Sequence, residues 1–173
     1  MLRAVFANHW GKLLLISIVL FYFFSNYPRF YPFPEATTHG VASMLTIFGF
    51  DATPYKNFVV VNNFPPIEVS AECSGIILLL MFPLVILLMP HVSLPHRLAA
   101  LLFLPLLFAG NILRISIDAL IGIHTSPDTL IFFHNTVGQV FIFAWAIMIY
   151  ILWLKTFGNF PRDEKAKEIT MPH

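Results

Sequence analysis

Long apolar segments constrain this chain more than any other feature of its sequence. Such runs occupy residues 13–27, 74–89, 98–118 and 130–154, and the last three are each close to the length that crosses about 30 Å of hydrocarbon. Hydrophobic residues make up 58% of the 173 residues and charged residues only 11%, far from the average for soluble domains. The sequence therefore predicts an all-α membrane protein, a polytopic bundle of about four transmembrane helices.

The first apolar segment follows Arg3 and Lys12, an arrangement that signal peptides share. It contains a bulky aromatic stretch at 21–24, and no small-x-small cleavage site precedes Asn26. We therefore predict a retained transmembrane helix within residues 1–35.

The next region mixes apolar and polar residues. Residues 35–50 place apolar side chains on one helical face, which predicts an interfacial helix. The runs 58–61 and 67–69, separated by an Asn- and Pro-containing turn at 62–66, predict a small β-hairpin. The chain thus divides into the N-terminal helix at 1–35, the interfacial helix and hairpin at 36–72, a three-helix core at 73–155 and a charged tail at 156–173.

Basic residues indicate the orientation in the membrane. In a four-helix topology most of them fall on one side, namely Arg3, Lys12, Arg97, Lys155, Arg162, Lys165 and Lys167, whereas Arg29 and Lys56 fall on the other. Loops rich in Lys and Arg stay in the cytoplasm. Both termini are therefore predicted to be cytoplasmic, with the hairpin at the extracytoplasmic face.

Three reactive residues share one depth in this predicted topology. Cys73 lies at the outer start of the second helix, Arg114 near the outer end of the third and His134 near the outer start of the fourth. A helix N-terminus and a nearby guanidinium both favour a thiolate, and a histidine can carry the proton. Arginine stays protonated and can stabilise a developing oxyanion. The trio predicts a nucleophile, a proton carrier and an electrostatic stabiliser.

Each residue also has a structural explanation. Membrane cysteines are commonly small buried hydrophobes, Arg114 could pair with Asp118 one turn on, and His134 could be a packing residue. In the catalytic interpretation, Asn111, Asp118 and Ser74 are supporting residues. Asn111 either orients the guanidinium or bonds across helices, and Ser74 caps a helix or donates between helices.

Other site chemistries find little support. The formal net charge is only +1, and the Lys and Arg residues form no basic stripe. We therefore predict no nucleic-acid partner. His91 and His96 have no other ligand types nearby, and we predict neither a metal site nor a cofactor.

Three short motifs resemble the exosortase and archaeosortase family: AECSGI at 71–76, NILRI at 111–115 and HNTVG at 134–138. The resemblance implies a multi-pass enzyme of the prokaryotic plasma membrane, a cysteine protease or transpeptidase that cleaves C-terminal sorting signals from exported proteins. Those signals consist of a short motif, a transmembrane helix and a basic tail, and the new terminus passes to an acceptor such as a lipid. The resemblance assigns Cys73 as nucleophile, Arg114 as the essential arginine and His134 as the exosortase histidine.

Two other functions fit the same residues. A small transporter or channel subunit would use Arg114 for an anion and His134 for protons, and it would need no thiol. A non-enzymatic assembly or anchoring protein would use its polar residues only to hold helices together. Thiol reactivity near neutral pH separates the enzyme from both.

Overall fold

The computed structural model describes residues 32–89 and 92–157, together with the isolated positions Gly11, Ser17, Ile18 and Tyr22. The helices are α1 (Pro32–Ile47), α2 (Ile76–Leu87), α3 (Leu94–Leu98), a 3₁₀ helix (Ala99–Phe103), α4 (Leu104–His124), α5 (Pro127–Asn135) and α6 (Val137–Phe157). The strands are β1 (Ala52–Tyr55), β2 (Phe58–Val61) and β3 (Phe64–Glu68). The predicted helix at 13–27, apart from three of those isolated positions, and the charged tail beyond residue 157 lie outside the described residues.

Two described stretches are long and apolar enough to cross a membrane, Leu94–His124 and Pro127–Phe157, each with 31 residues. Helix α2 has only 12 residues, which span roughly 18 Å at 1.5 Å per residue, too little for the hydrocarbon core. We predicted about four transmembrane helices, and the described residues contain two helical stretches that could span the membrane.

The boundaries of these two helices differ from the sequence prediction. We expected the third segment to end at Asp118, but α4 continues to His124, and α5 begins at Pro127 with Ser126 as its N-cap. The side chain of Asp118 is buried and paired with His134, so a charged residue inside the helix does not mark its end. The predicted loop at 119–129 is therefore wrong; only a short connection joins the helices.

The predicted segment 130–154 is interrupted at Thr136. The backbone there has φ −116° and ψ −77°, and α5 ends at Asn135 before α6 begins at Val137. The Thr136 hydroxyl donates to the Phe132 carbonyl, which satisfies an acceptor at the break. His134 consequently lies in the last turn of a short helix that ends close to the cysteine.

The predicted hairpin exists as part of a three-stranded antiparallel sheet, ordered β1-β2-β3. Strand β1 was not predicted, and β3 starts at Phe64, so the Pro-containing residues assigned to the turn belong to the strand. Proline lacks a backbone donor and is tolerated at a sheet edge. Because β3 is an edge strand, Pro65 and Pro66 do not break the sheet.

The core of the described residues consists of two apolar clusters. In the first, α1 packs on the sheet and on α4 through Val41, Leu45, Val59, Ile115 and Ala119. Helix α1 occupies the region predicted as an interfacial helix. In the second, α2, α4 and α6 pack through Phe82, Ile86, Leu107, Ile149 and Trp153. The segment that joins the sheet to α2 carries Cys73, and it connects Val69 of the first cluster to the α2 residues of the second.

The close approach of α4 and α6 depends on Gly110. A methyl group at this position would lie 2.1 Å from Nε1 of Trp145, whose indole donates to the Leu106 carbonyl at 3.0 Å. We expect Gly110→Ala to lower the free energy of unfolding by roughly 1–3 kcal/mol, because the indole must move and lose its acceptor. Thermal unfolding in detergent measures this change. Leu102→Ala, at a side chain that is 71% exposed, should have a smaller effect, and equal effects would contradict the packing argument.

Candidate active site

A tight turn presents Cys73 between the sheet and α2. The Cys73 amide donates to the Ser70 carbonyl at 3.1 Å, and the Ser74 hydroxyl donates to the Ala71 carbonyl at 2.6 Å. Gly75 precedes α2 with φ +80°, a backbone conformation that side chains other than glycine rarely adopt. Ser74, predicted as a cap or an interhelical donor, thus stabilises the turn that carries the cysteine.

The turn is fastened to α4 by Asn111. Its side-chain amide is buried and donates to the Cys73 carbonyl at 2.9 Å. A methyl group on Gly75 would lie 2.8 Å from the same amide nitrogen, so the glycine also makes room for this contact. Of the two roles predicted for Asn111, the structure has the bond across elements, and that bond holds the backbone of Cys73.

Three side chains form a continuous chain of contacts. Sγ of Cys73 lies 3.0 Å from Nε2 of His134, and Nδ1 of His134 lies 3.0 Å from Oδ2 of Asp118. A histidine that donates its Nδ1 proton to a carboxylate keeps Nε2 free to accept a proton from a thiol. The arrangement can therefore deprotonate Cys73 and stabilise the imidazolium that results.

Sequence reasoning placed Asp118 only in a supporting position, as a partner of Arg114. The ion pair that Asp118 makes among the described residues is with His134. A carboxylate on α4 and a histidine on α5 meet because these helices are joined by a short turn, and no local sequence pattern signals that contact. Gly138 permits it, since a methyl group there would lie 2.9 Å from Oδ2 of Asp118.

Arg114 lies on α4 one turn before Asp118 and is 4% exposed. Its guanidinium interacts electrostatically with both Cys73 and Asp118. Its Nε is buried and has no hydrogen-bond partner among the described residues. The structure thus brings together all three residues of the predicted trio.

The environment changes the acidity of the cysteine. Burial raises the pKa of the Cys73 thiol, but hydrogen bonds to His134 and Ser70, together with the charges of His134 and Arg114, bring that pKa below the ordinary value. A lowered pKa increases the thiolate fraction at neutral pH, and the thiolate is the nucleophilic form.

A cavity of about 450 Å³ opens beside the thiol. Cys73, Asp118 and His134 line it, together with residues of strand β3 and with Leu130 and Ile131 of α5. The predicted hairpin was not assigned a part in the site, yet its edge strand forms one wall. An extended polypeptide could lie along that strand and reach Sγ.

We searched the described residues for side chains that could bind a metal ion together. Within residues 32–89 and 92–157, no group of three or more His, Cys, Asp or Glu side chains is arranged to hold an ion.

Comparisons with known proteins point in the same direction. A family model described as transmembrane exosortase matches residues 2–152, which is most of the chain. Searches among curated proteins and among solved structures returned no match. The match spans the Cys73 turn, the α4 helix with Arg114 and Asp118, and the α5 helix with His134. This membrane protein therefore belongs to the transmembrane exosortase family.

Proposed function

We propose that the protein is a membrane-embedded cysteine peptidase or transpeptidase that cleaves C-terminal sorting signals of exported proteins at the extracytoplasmic face of the prokaryotic plasma membrane. Family membership makes a sortase-like membrane enzyme the general class. The observation that carries the specific chemistry is the Cys73–His134–Asp118 chain, with both contacts at 3.0 Å, beside a cavity of about 450 Å³.

In the first half-reaction, Nε2 of His134 takes the thiol proton and Sγ of Cys73 attacks the scissile carbonyl carbon. The negative charge that develops on the carbonyl oxygen is stabilised by the adjacent Arg114 guanidinium. The C–N bond then breaks, the amine leaves with the proton from His134, and a thioester joins the substrate to Cys73. Asp118 holds the imidazole in the tautomer that this transfer needs.

In the second half-reaction, an amine, an alcohol or water attacks the thioester and gives its proton to His134. The Cys73 thiolate leaves and takes that proton back, which returns the enzyme to its starting state. A lipid of the surrounding membrane is one acceptor that fits a site at a helix end. The partners are exported proteins that end in a short motif, a transmembrane helix and a basic tail.

The Cys73–His134 contact favours this function over the transporter alternative. Anion or proton transfer through Arg114 and His134 requires no thiol, and it offers no reason for a sulfur 3.0 Å from the imidazole. An assembly role likewise offers no reason for a lowered thiol pKa.

Interception of the thioester tests the proposal. The protein is co-expressed with an exported reporter that ends in a candidate sorting signal, membranes are treated with hydroxylamine, and the new reporter terminus is identified by mass spectrometry. A thioester intermediate predicts a C-terminal hydroxamate, since hydroxylamine is a strong nucleophile toward thioesters. Cleavage that yields only a free carboxylate, whatever the hydroxylamine concentration, would contradict a covalent step.

The acidity of Cys73 makes a separate prediction. Alkylation by iodoacetamide should have a pH midpoint below that of the same protein unfolded in denaturant, because the folded environment favours the thiolate. In His134→Ala the midpoint should move above the unfolded value. Burial is the largest single influence on the thiol pKa and raises it, and the substitution removes the hydrogen bond to His134 that lowers this pKa most. Because Cys73 is the only cysteine, mass spectrometry of the alkylated protein reports on this thiol alone. Equal midpoints in the folded and unfolded wild type would contradict thiol activation.

A further inference from the structure

A second cavity lies next to the Cys73 turn, and it shares Arg114 and Asn111 with the candidate site. It measures about 760 Å³ and runs between α2, α4 and α6. Most of its walls are apolar, contributed by Ile77, Leu78, Met81, Ile142 and Ala146. We refer to this cavity as the α2–α6 groove.

The groove opens toward the surface that faces lipid. Val140 and Phe143 of α6 line it and are each 70% exposed, and both belong to a helix long and apolar enough to cross the membrane. Large exposed apolar side chains on such a helix contact acyl chains. A membrane lipid can therefore enter the groove sideways without crossing water.

Polar groups line the part of the groove next to the Cys73 turn. Arg114 and Asn111 come from α4, Gln139 from α6 and Glu72 from the turn itself. Arg114 is 4% exposed, and its Nε has no hydrogen-bond partner among the described residues. A guanidinium in the lining of a mostly apolar cavity favours an anionic ligand, because charges attract more strongly where water is scarce.

We propose that the α2–α6 groove binds a membrane aminophospholipid, with its phosphate on Arg114, its ammonium on Glu72 and its acyl chain between α2 and α6. Guanidinium groups bind phosphate oxygens strongly, and the cavity combines this cation with an apolar length. Both proposals use Arg114, but lipid binding requires no reaction at Cys73, so the two proposals can be tested separately.

Glu72 determines which headgroup fits. Its carboxylate is exposed at the groove and would repel a headgroup that carries only negative charge. A headgroup with a phosphate and a primary ammonium complements both residues, since the phosphate pairs with Arg114 and the ammonium with Glu72. A trimethylammonium group has no N–H to donate, so it complements Glu72 less well.

Native mass spectrometry tests the assignment with the full chain released from a neutral detergent. The probes are dioleoyl phosphatidylethanolamine, phosphatidylglycerol and phosphatidylcholine, each titrated separately. We expect phosphatidylethanolamine to bind about tenfold more tightly than the other two, which corresponds to about 1.4 kcal/mol, the scale of one charge-assisted hydrogen bond. Equal binding of the three lipids would overturn the proposal.

Two variants locate the binding. Glu72→Gln, at an exposed side chain, should abolish the preference for phosphatidylethanolamine over phosphatidylglycerol. Ala146→Trp should reduce binding of the preferred lipid at least tenfold by filling the groove, with the thermal unfolding of both variants measured as a folding control. Glu68→Gln, an exposed acid on β3 outside the groove, is the matched control and should keep the preference.

Two further results would overturn the proposal. If glycerophosphoethanolamine, which has no acyl chains, binds as tightly as the lipid, the site recognises a free phosphate compound. If no lipid binds and Ala146→Trp instead abolishes cleavage of the reporter, the groove holds a segment of the polypeptide substrate. Failure of the cleavage assay alone, with lipid binding intact, would count against the proposed function only.

Discussion

Replacing Cys73 with alanine should abolish cleavage of a sorting-signal reporter, with a loss of at least about 10³-fold. The substitution removes the sulfur that lies 3.0 Å from Nε2 of His134 while leaving the turn hydrogen bonds, which involve backbone groups of Cys73, in place. Cleavage is measured by mass spectrometry of the reporter terminus in membranes that contain equal amounts of each variant.

The control for this experiment is Ser43→Ala, an exposed position on α1 whose hydroxyl bonds only within its own helix. It should retain wild-type cleavage. Continued cleavage by Cys73→Ala at equal protein level would sink the thiol mechanism and restore the transporter and assembly alternatives.

The second large effect is expected for Asp118→Asn, with a loss on the order of 10³–10⁴-fold. The two side chains have nearly the same size, so the substitution leaves packing in place and changes only the charge and the donor pattern. An amide at this buried position can present its NH₂ to Nδ1 of His134 and thereby favour the tautomer whose Nε2 carries a proton. That tautomer cannot accept the proton of Cys73.

Asp128→Asn is a matched control because it makes the same chemical change at an exposed residue in the first turn of α5. The rate of Cys73 alkylation provides a second readout: Asp118→Asn should slow it at neutral pH, whereas a purely structural defect would expose the thiol and not selectively slow its reaction. Full activity in Asp118→Asn would show that His134 needs no carboxylate partner.

Much of the site was accessible from the sequence because it depends on local patterns. Apolar runs separated by polar residues predicted Cys73, Arg114 and His134 near helix ends, and the structure brings these three residues together. The position predicted for Arg114 was wrong, because α4 continues to His124 and Arg114 lies in its middle. A residue near the end of an apolar segment has a depth that follows from helix geometry alone. No knowledge of which helices pack together was required for that inference.

The role of Asp118 could not be obtained in this way. Its pairing with His134 depends on α4 extending to His124, on the short turn at Thr125 and Ser126, and on the break at Thr136. Each of these is a boundary shift of a few residues, and sequence patterns define boundaries least well. Strand β1 was likewise not predicted. The start of β3 was missed because Pro65 and Pro66 favour a turn when the neighbouring strand is not known.

By itself, then, the sequence determined that this is a membrane protein and singled out a cysteine, an arginine and a histidine as one candidate site, since hydropathy depends only on the order of residues. Only the tertiary structure decided that Asp118 holds His134, that β3 forms a wall of the cavity at Cys73, and that Arg114 also lines the α2–α6 groove. Those facts concern side chains from different elements, and their distances are set by how the elements pack, which depends on the shapes of all the residues between them.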